Sequence, residues 1–234
     1  MEISNSVRGI ARSVLPRFAL NGVKLARLVA RQRLWGFSVG DKPCTEGTAN
    51  AAFERMLENC RLYMEYGSGG STVWAARLEK PFISVETDRF FLEAVRRKIG
   101  TLSRGQHLLY ADIGPIGPQY GAPLFKTPTD RRLERWTSYL LLPWHHLEPG
   151  ALPDLVMIDG RFRVAAALTS CARLIDSPES RIAVDDYVGR NHYKSIEQYS
   201  QLVCTYEHMA IFKPPLRNSP QLLEAIRRFS SDWR

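Results

Sequence analysis

The run Tyr63-Met64-Glu65-Tyr66-Gly67-Ser68-Gly69-Gly70-Ser71-Thr72 constrains this chain more than any other segment. It joins an apolar stretch to a glycine turn and then to helix-forming residues. Leu62 to Met64 reads as the end of a buried parallel strand. The glycines let backbone approach a ligand without Cβ clashes, and Thr72, Val73, Trp74, Ala75, Ala76 and Leu78 continue as a helix. An isolated glycine turn is a weak signal, but matching parts follow at regular intervals. About 21 residues after Glu65, the strand-like Phe82-Ile83-Ser84-Val85 ends in Glu86, where a second strand of a βαβ unit presents a carboxylate to ribose hydroxyls. Asp88 reads as the N-cap of a helix over Arg89 to Ile99 that Gly100 closes. His107 to Ala111 ends in Asp112, Asp154 to Ile158 in Asp159-Gly160, and Arg181 to Val184 in Asp185-Asp186. Five apolar strands, each with an acid at its carboxyl end, put those acids on one edge of a parallel sheet, the edge where open α/β sheets bind ligands.

A dinucleotide-binding dehydrogenase would also want glycines after the first strand and an acid at Glu86. It fits less well, because a Gly-x-Gly-x-x-Gly beginning at Gly67 requires glycine where Thr72 stands.

The order of these parts resembles the class I S-adenosylmethionine-dependent methyltransferases, over about Thr48 to Pro214. Glu65 to Ser71 looks like that superfamily's first motif, Glu86 like its ribose-binding acid, Asp112 like the residue beside the adenine, and Asp159 like its fourth motif. More narrowly, Glu65 to Thr72, Asp112-Ile113-Gly114-Pro115, Asp159-Gly160-Arg161-Phe162-Arg163 and Asp185-Asp186-Tyr187 look like a subgroup related to metal-dependent sugar and catechol O-methyltransferases. The third glycine of the superfamily pattern is replaced, the order here being Gly67, Gly69, Gly70 and then Ser71. The resemblance implies a Rossmann-like, mostly parallel seven-stranded α/β sheet flanked by helices. It further implies S-adenosylmethionine held by Glu65, Gly67, Ser68, Gly69, Gly70, Ser71, Thr72, Glu86, Asp112 and Asp159.

At 234 residues and 44% hydrophobic content the chain can bury one large core. Cys44, Cys60, Cys171 and Cys204 have neither metal-ligand nor disulfide-framework spacing, and no apolar stretch approaches 18 residues. A soluble, cytoplasmic protein is the simplest expectation. The net charge of +8 is uneven, with Arg8, Arg12, Arg17, Lys24, Arg27, Arg31 and Arg33 against Glu2 alone before residue 36. Ile3, Val7, Ile10 and Val14 repeat at helical spacing. After Pro16, Phe18, Leu25 and Val29 share one helix face and Lys24, Arg27 and Arg31 another. Residues 1–47 therefore read as a basic amphipathic helical extension to a methyltransferase-type domain over 48–234. Packing on that domain as part of a substrate cover is the plain expectation. An anionic membrane surface, nucleic acid, a phosphorylated substrate or an organelle-targeting role are the alternatives.

Gly114 to Thr129, with Pro115, Pro118, Pro123 and Pro128, reads as a lid or substrate-binding loop. Helices are expected over Asp130 to Leu142 and Asn191 to Val203, a hairpin from Cys204–Tyr206 to Met209–Phe212 with Glu207-His208 at its turn, and a helix from Pro220 to near Trp233.

Methyl transfer from a sulfonium is an in-line displacement, so a protein must hold nucleophile and methyl together and manage one proton. Asp159, Asp185 and Asp186 end neighbouring strands, so their oxygens are expected to converge on one Mg²⁺, the ion that the O-methyltransferase resemblance also implies. The alternative is that Asp185 or Asp186 caps the following turn. Arg161 and Arg163 either fork onto a substrate carboxylate or phosphate or neutralise the acids as ion pairs. In catechol-type relatives a lysine near this position serves as base, a role arginine does not fill. His192 is the first candidate base, with His145 and His146 second; Tyr187 and Tyr193 read as pocket walls, and Trp74 and Trp144 as core or cofactor-shielding residues. The expected activity is O-methylation of a small molecule or glycan, with Asp159, His192 and Arg161 at the chemistry. An RNA or protein methyltransferase and a non-catalytic cofactor-binding interaction module are the alternatives. Against base methylation, Asp159-Gly160-Arg161-Phe162 stands where an Asn/Asp-Pro-Pro-Tyr/Phe motif would be.

Overall fold

The computed structural model describes residues 17–43, 47–118, 121–217 and 219–234. The expected repeat from Ile3 to Val14 lies outside them. The core is a seven-stranded sheet in the order β3-β2-β1-β4-β5-β7-β6, built from β1 (Tyr63–Tyr66), β2 (Phe82–Glu86), β3 (Gln106–Tyr110), β4 (Leu155–Ile158), β5 (Arg181–Val184), β6 (Gln201–Tyr206) and β7 (Met209–Lys213). The pairs among β1 to β5 are parallel, and β7 runs antiparallel between β5 and β6.

Period-two alternation splits the strand side chains between two helical layers. Tyr63, Phe82, Leu155, Met157 and Ala183 face α2 (Gly47–Asn59), α3 (Gly70–Arg77) and α4 (Arg89–Ile99). Met64, Tyr66, Val156, Ile158, Ile182 and Val184 face α5 (Asp130–His145), α6 (Arg163–Arg173) and α7 (Pro220–Phe229). Because both faces are covered, β1, β2 and β4 are buried throughout, as their continuous apolar character requires, while edge strands β3 and β6 alternate.

The helix stops follow local chemistry. Asp88 accepts from the amides of Phe90 (2.9 Å) and Phe91 (3.3 Å), and Gly100 at φ 84° closes α4. Ser219 caps α7 through the Leu222 amide (3.1 Å), with Pro220 in its first turn. Asp88→Ala is expected to cost about 1 kcal/mol, read as a lower denaturant midpoint at unchanged slope.

Two expectations are corrected. The helix expected over Asn191 to Val203 is a 3₁₀ segment, Asn191–Gln198, because Gln201 onward pairs with β7 and the ladder takes those residues. α5 runs past Leu142 through Pro143, held by buried Trp144, whose Nε1 donates to Tyr66 Oη at 2.7 Å.

The N-terminal segment begins with α1 (Arg17–Ala30) and a wider turn, Arg31–Trp35, ended by Gly36 at φ 73°. It reaches the body through Gln32 to Asp88 (3.0 Å), Phe37 edge-on to Phe91 (5.3 Å) and Arg33 over Phe90 (5.2 Å). Lys42 lies over Trp74 at 4.3 Å and pairs with Glu54 at 3.0 Å. Among the described residues no helix is long and apolar enough to cross a membrane.

Candidate active site

Parallel pairing gathers the loops after β1, β2, β3, β4 and β5 on one edge. Antiparallel β7 adds a sixth element. Because Val184 pairs with Ala210, the β6–β7 turn arrives beside Asp185.

The glycines after β1 have different tasks. Gly67, at φ 95°, meets Gly160 backbone to backbone: a Cβ on Gly67 would lie 2.7 Å from the Gly160 nitrogen, and one on Gly160 would lie 2.3 Å from Tyr139 Oη. A Cβ on Gly70 would fall 1.8 Å from the Lys42 carbonyl oxygen, so the N-terminal segment packs directly on this loop. Gly69 alone of the three has nothing within 4 Å of the position a Cβ would take. It leaves room for a ligand.

Several residues expected to touch the cofactor bond to one another beneath the loop. Glu65 is fully buried and accepts from the Ser71 and Thr72 hydroxyls and from Ser84 Oγ (3.0 Å). Burial raises its pKa, and these hydroxyl donors work in the opposite direction. Thr72 Oγ1 also accepts from the Gly69 amide (2.8 Å), and Ser68 Oγ lies 2.7 Å from Ser84 Oγ. Glu65, Ser68, Ser71 and Thr72 thus brace the turn through Ser84, which reaches them only because β2 pairs with β1. Their hydroxyls and carboxylate bond within the protein.

Glu86 ends β2 and is 9% exposed. Its Oε1 accepts from the Thr87 amide (2.6 Å), the Asp88 amide (2.9 Å) and Thr87 Oγ1 (3.2 Å), leaving Oε2 available. Burial pushes its pKa up to about 7, with the amide bonds opposing. The Pro-rich loop after β3 comes close to it: Gly121 O lies 3.4 Å from Thr87 Oγ1, and the loop folds on itself through Gly117 to Ala122 (2.7 Å) and Leu124 to Pro115 (2.8 Å). Asp112 is exposed and accepts from the Gly114 amide (2.9 Å). It borders a cavity of about 400 Å³ lined in part by Tyr110, Arg135, Ser138 and Tyr139.

The acids after β4 and β5 meet cations. Arg163 is 5% exposed, and its Nη2 donates to Asp159 Oδ1 (2.8 Å) while Nη1 donates to Asp186 Oδ2 (3.1 Å). Arg190 reaches the same Asp186 oxygen at 2.5 Å, and His208 Nε2 lies 3.1 Å from Asp185 Oδ1. Among the described residues no three His, Cys, Asp or Glu groups are arranged to hold a metal ion. The expected Mg²⁺ trio of Asp159, Asp185 and Asp186 does not fit, because Asp159 Oδ1 and Asp186 Oδ2 accept from the Arg163 guanidinium and Asp185 Oδ1 faces His208 Nε2. Nearly half of the Asp159 side chain faces the cleft. Its pKa is nevertheless raised, by loss of hydration first and then by Asp185, with Arg163 opposing.

Phe162 places these arginines. It is fully buried against Trp136 (5.3 Å) and Tyr139 (5.9 Å) and takes a left-handed φ of 56°, unusual for a bulky residue, so the chain reverses there and α6 begins at Arg163. Arg161 stands among Tyr139, Asp159 and Tyr193 without an ion pair among the described residues, its pKa lowered by burial and then by Arg163.

The histidines do not fall where expected. His192 packs edge-on against Tyr193 (4.3 Å) near Asp232 and Arg234; burial, then Arg234, lowers its pKa. His145 and His146 end α5, which has run back from the edge toward the start of β4. His208, assigned only to a turn, is the histidine beside Asp185. Knowing that β7 is antiparallel to β5 would have located it.

The strand order, the glycine turn after β1 and the acid ending β2 define the class: the chain has the Rossmann-like fold of the methyltransferases. More particularly, over 82% of its length it is similar, at 29% identity and a TM-score of 0.65, to 99% of a methyltransferase-like protein, spo2022, from Silicibacter pomeroyi DSS-3. A putative O-methyltransferase from Klebsiella pneumoniae aligns at 14% identity and a TM-score of 0.40, covering 88% of this chain and 92% of that one. The O-methyltransferase from Bacillus cereus, solved in complex with SAH, aligns at 14% identity and a TM-score of 0.38, covering 95% and 81%. No family model and no curated protein matches the chain.

Proposed function

We propose that the protein transfers the methyl group of S-adenosylmethionine to a hydroxyl oxygen of a small molecule or glycan. The observation that carries this reading is the His208–Asp185 pair on the ligand-binding edge, Asp185 being the first residue past the end of β5, the strand next to the one that ends before Asp159. Bound S-adenosylmethionine supplies a methyl carbon on a sulfonium, open to in-line attack. Gly69 would give the cofactor backbone-close access, Glu86 Oε2 would accept from its ribose hydroxyls, and the cleft at Asp112 would take its base. His208 accepts the acceptor hydroxyl's proton at Nδ1 as the new C–O bond forms, and Asp185, 3.1 Å from Nε2, stabilises the resulting imidazolium. Tyr187 and Tyr193, both buried, stand behind this edge as a rigid wall.

Calorimetric titration with S-adenosylmethionine, S-adenosylhomocysteine and NAD tests the cofactor. Micromolar binding of the first two without NAD supports the reading, and binding with no turnover on any hydroxylated acceptor would make the protein a binding module.

Glu86 gives this binding a pH signature. In the empty protein its carboxyl holds a proton up to about pH 7, and only the ionised form accepts two ribose hydroxyls. Affinity for S-adenosylhomocysteine should therefore rise from pH 6 to 8. Glu86→Gln should bind about tenfold more weakly with a flat profile. Stability runs the other way. A raised carboxyl pKa means the folded state keeps a proton the unfolded state has released, so this contribution is full below about pH 4.5 and lost as pH rises through about 7. At about 1.4 kcal/mol per pH unit it amounts to roughly 3 kcal/mol.

A further inference from the structure

The O-methyltransferase resemblance asks for a divalent ion between Asp159, Asp185 and Asp186, and the side chains answer with something else. We propose that the guanidinium of Arg163 is the permanent cation of this carboxylate cluster, standing where a divalent metal would, and that the protein works without one.

Arg163 is tied at every nitrogen. Its Nε donates to Gly160 O (3.0 Å), Nη1 to Asp185 O (2.7 Å) and Asp186 Oδ2 (3.1 Å), and Nη2 to Asp159 Oδ1 (2.8 Å). One planar fork thus links the loops after β4 and β5. A divalent ion drawing on the same acids would sit within a few ångströms of this fixed charge, with Arg190 on Asp186 adding to the repulsion. Mg²⁺ also demands near-octahedral oxygens at about 2.0–2.1 Å, whereas a guanidinium presents its donors in one plane about 2.8 Å from theirs. Arginine is suited to permanent residence because it does not lose its proton.

The substitution bears on the acceptor, and in this it rests on the methyltransferase reading. A metal would polarise the acceptor oxygen and favour a substrate with two vicinal oxygens to chelate it. Four of the five N–H groups of Arg163 are taken within the protein, which leaves an acceptor one at most. The acceptor then needs only a single hydroxyl within reach of His208, and its proton goes to that imidazole without Lewis-acid help.

Mn²⁺ is the probe, read by electron paramagnetic resonance and by thermal unfolding. The wild-type protein is expected to bind no Mn²⁺ at the acids and to show an unchanged Tm in millimolar Mn²⁺. Arg163→Gln frees Asp159 and Asp186 and is expected to gain one saturable Mn²⁺, with Tm rising by about 3 °C or more at tenfold the dissociation constant. One Mn²⁺ per wild-type chain, lost in Asp159→Asn, would overturn the proposal, and so would a folded Arg163→Gln that binds none. If Arg163→Gln does not fold, the wild-type measurement decides. Failure of the methyltransferase reading would appear separately, as absent S-adenosylhomocysteine binding, and leaves the Mn²⁺ result as it stands.

Discussion

Gly67→Ala is expected to lower folding stability by roughly 3–5 kcal/mol, measured by denaturant unfolding. Two costs add. The residue sits at φ 95°, which an L side chain adopts only under strain. Its new Cβ would also lie 2.7 Å from the Gly160 nitrogen and 2.8 Å from the Gly160 Cα. Neither backbone can step aside cheaply, because Gly67 N donates to Val85 O (2.8 Å) and Gly160 N to Tyr66 O (2.6 Å), fixing both loops to the sheet. Overpacking against backbone costs more than against a side chain that can turn. Gly69→Ala is the control. Gly69 is extended (φ −178°) with open space at the Cβ position, so the fold should hold while S-adenosylhomocysteine affinity falls. If Gly67→Ala unfolds at the wild-type midpoint, the contact with Gly160 is not the reason for glycine there.

The second large effect belongs to chemistry. His208→Gln is expected to reduce methyl transfer by about 10²–10⁴-fold, the usual worth of a positioned general base, with cofactor affinity unchanged. The separation is informative because His208 lies by Asp185 on β5, whereas the proposed cofactor contacts are on β1, β2 and β3. A His192→Gln variant retaining near-normal turnover would agree with its position against Tyr193 and the C-terminal residues. Equal loss of turnover in both variants, or none in His208→Gln, would remove His208 from the mechanism.

Much of the fold was legible because its signals are local. Continuous apolar runs mark doubly covered strands, Asp88 and Gly100 bracket α4, and Ser219 with Pro220 starts α7. The helix expected after Asn191 failed for an equally physical reason: pairing with β7 overrode the helical pattern of Gln201 to Val203. The candidate site was legible as a set of acids on one edge, and less so as a set of roles. Nothing near Glu65 in sequence announces that Ser84 will join Ser71 and Thr72 in occupying its carboxylate.

By itself, then, the sequence determined that parallel strands would end in acids along one edge beside a glycine turn, since strand period, turn chemistry and capping act over a few residues. Tertiary structure decided which groups those acids meet. The left-handed turn at Phe162 brings Arg163 back onto Asp159 and Asp186, and the insertion of β7 carries His208 to Asp185. Charges so close choose partners by distance in space, and that distance exists only once the sheet has formed.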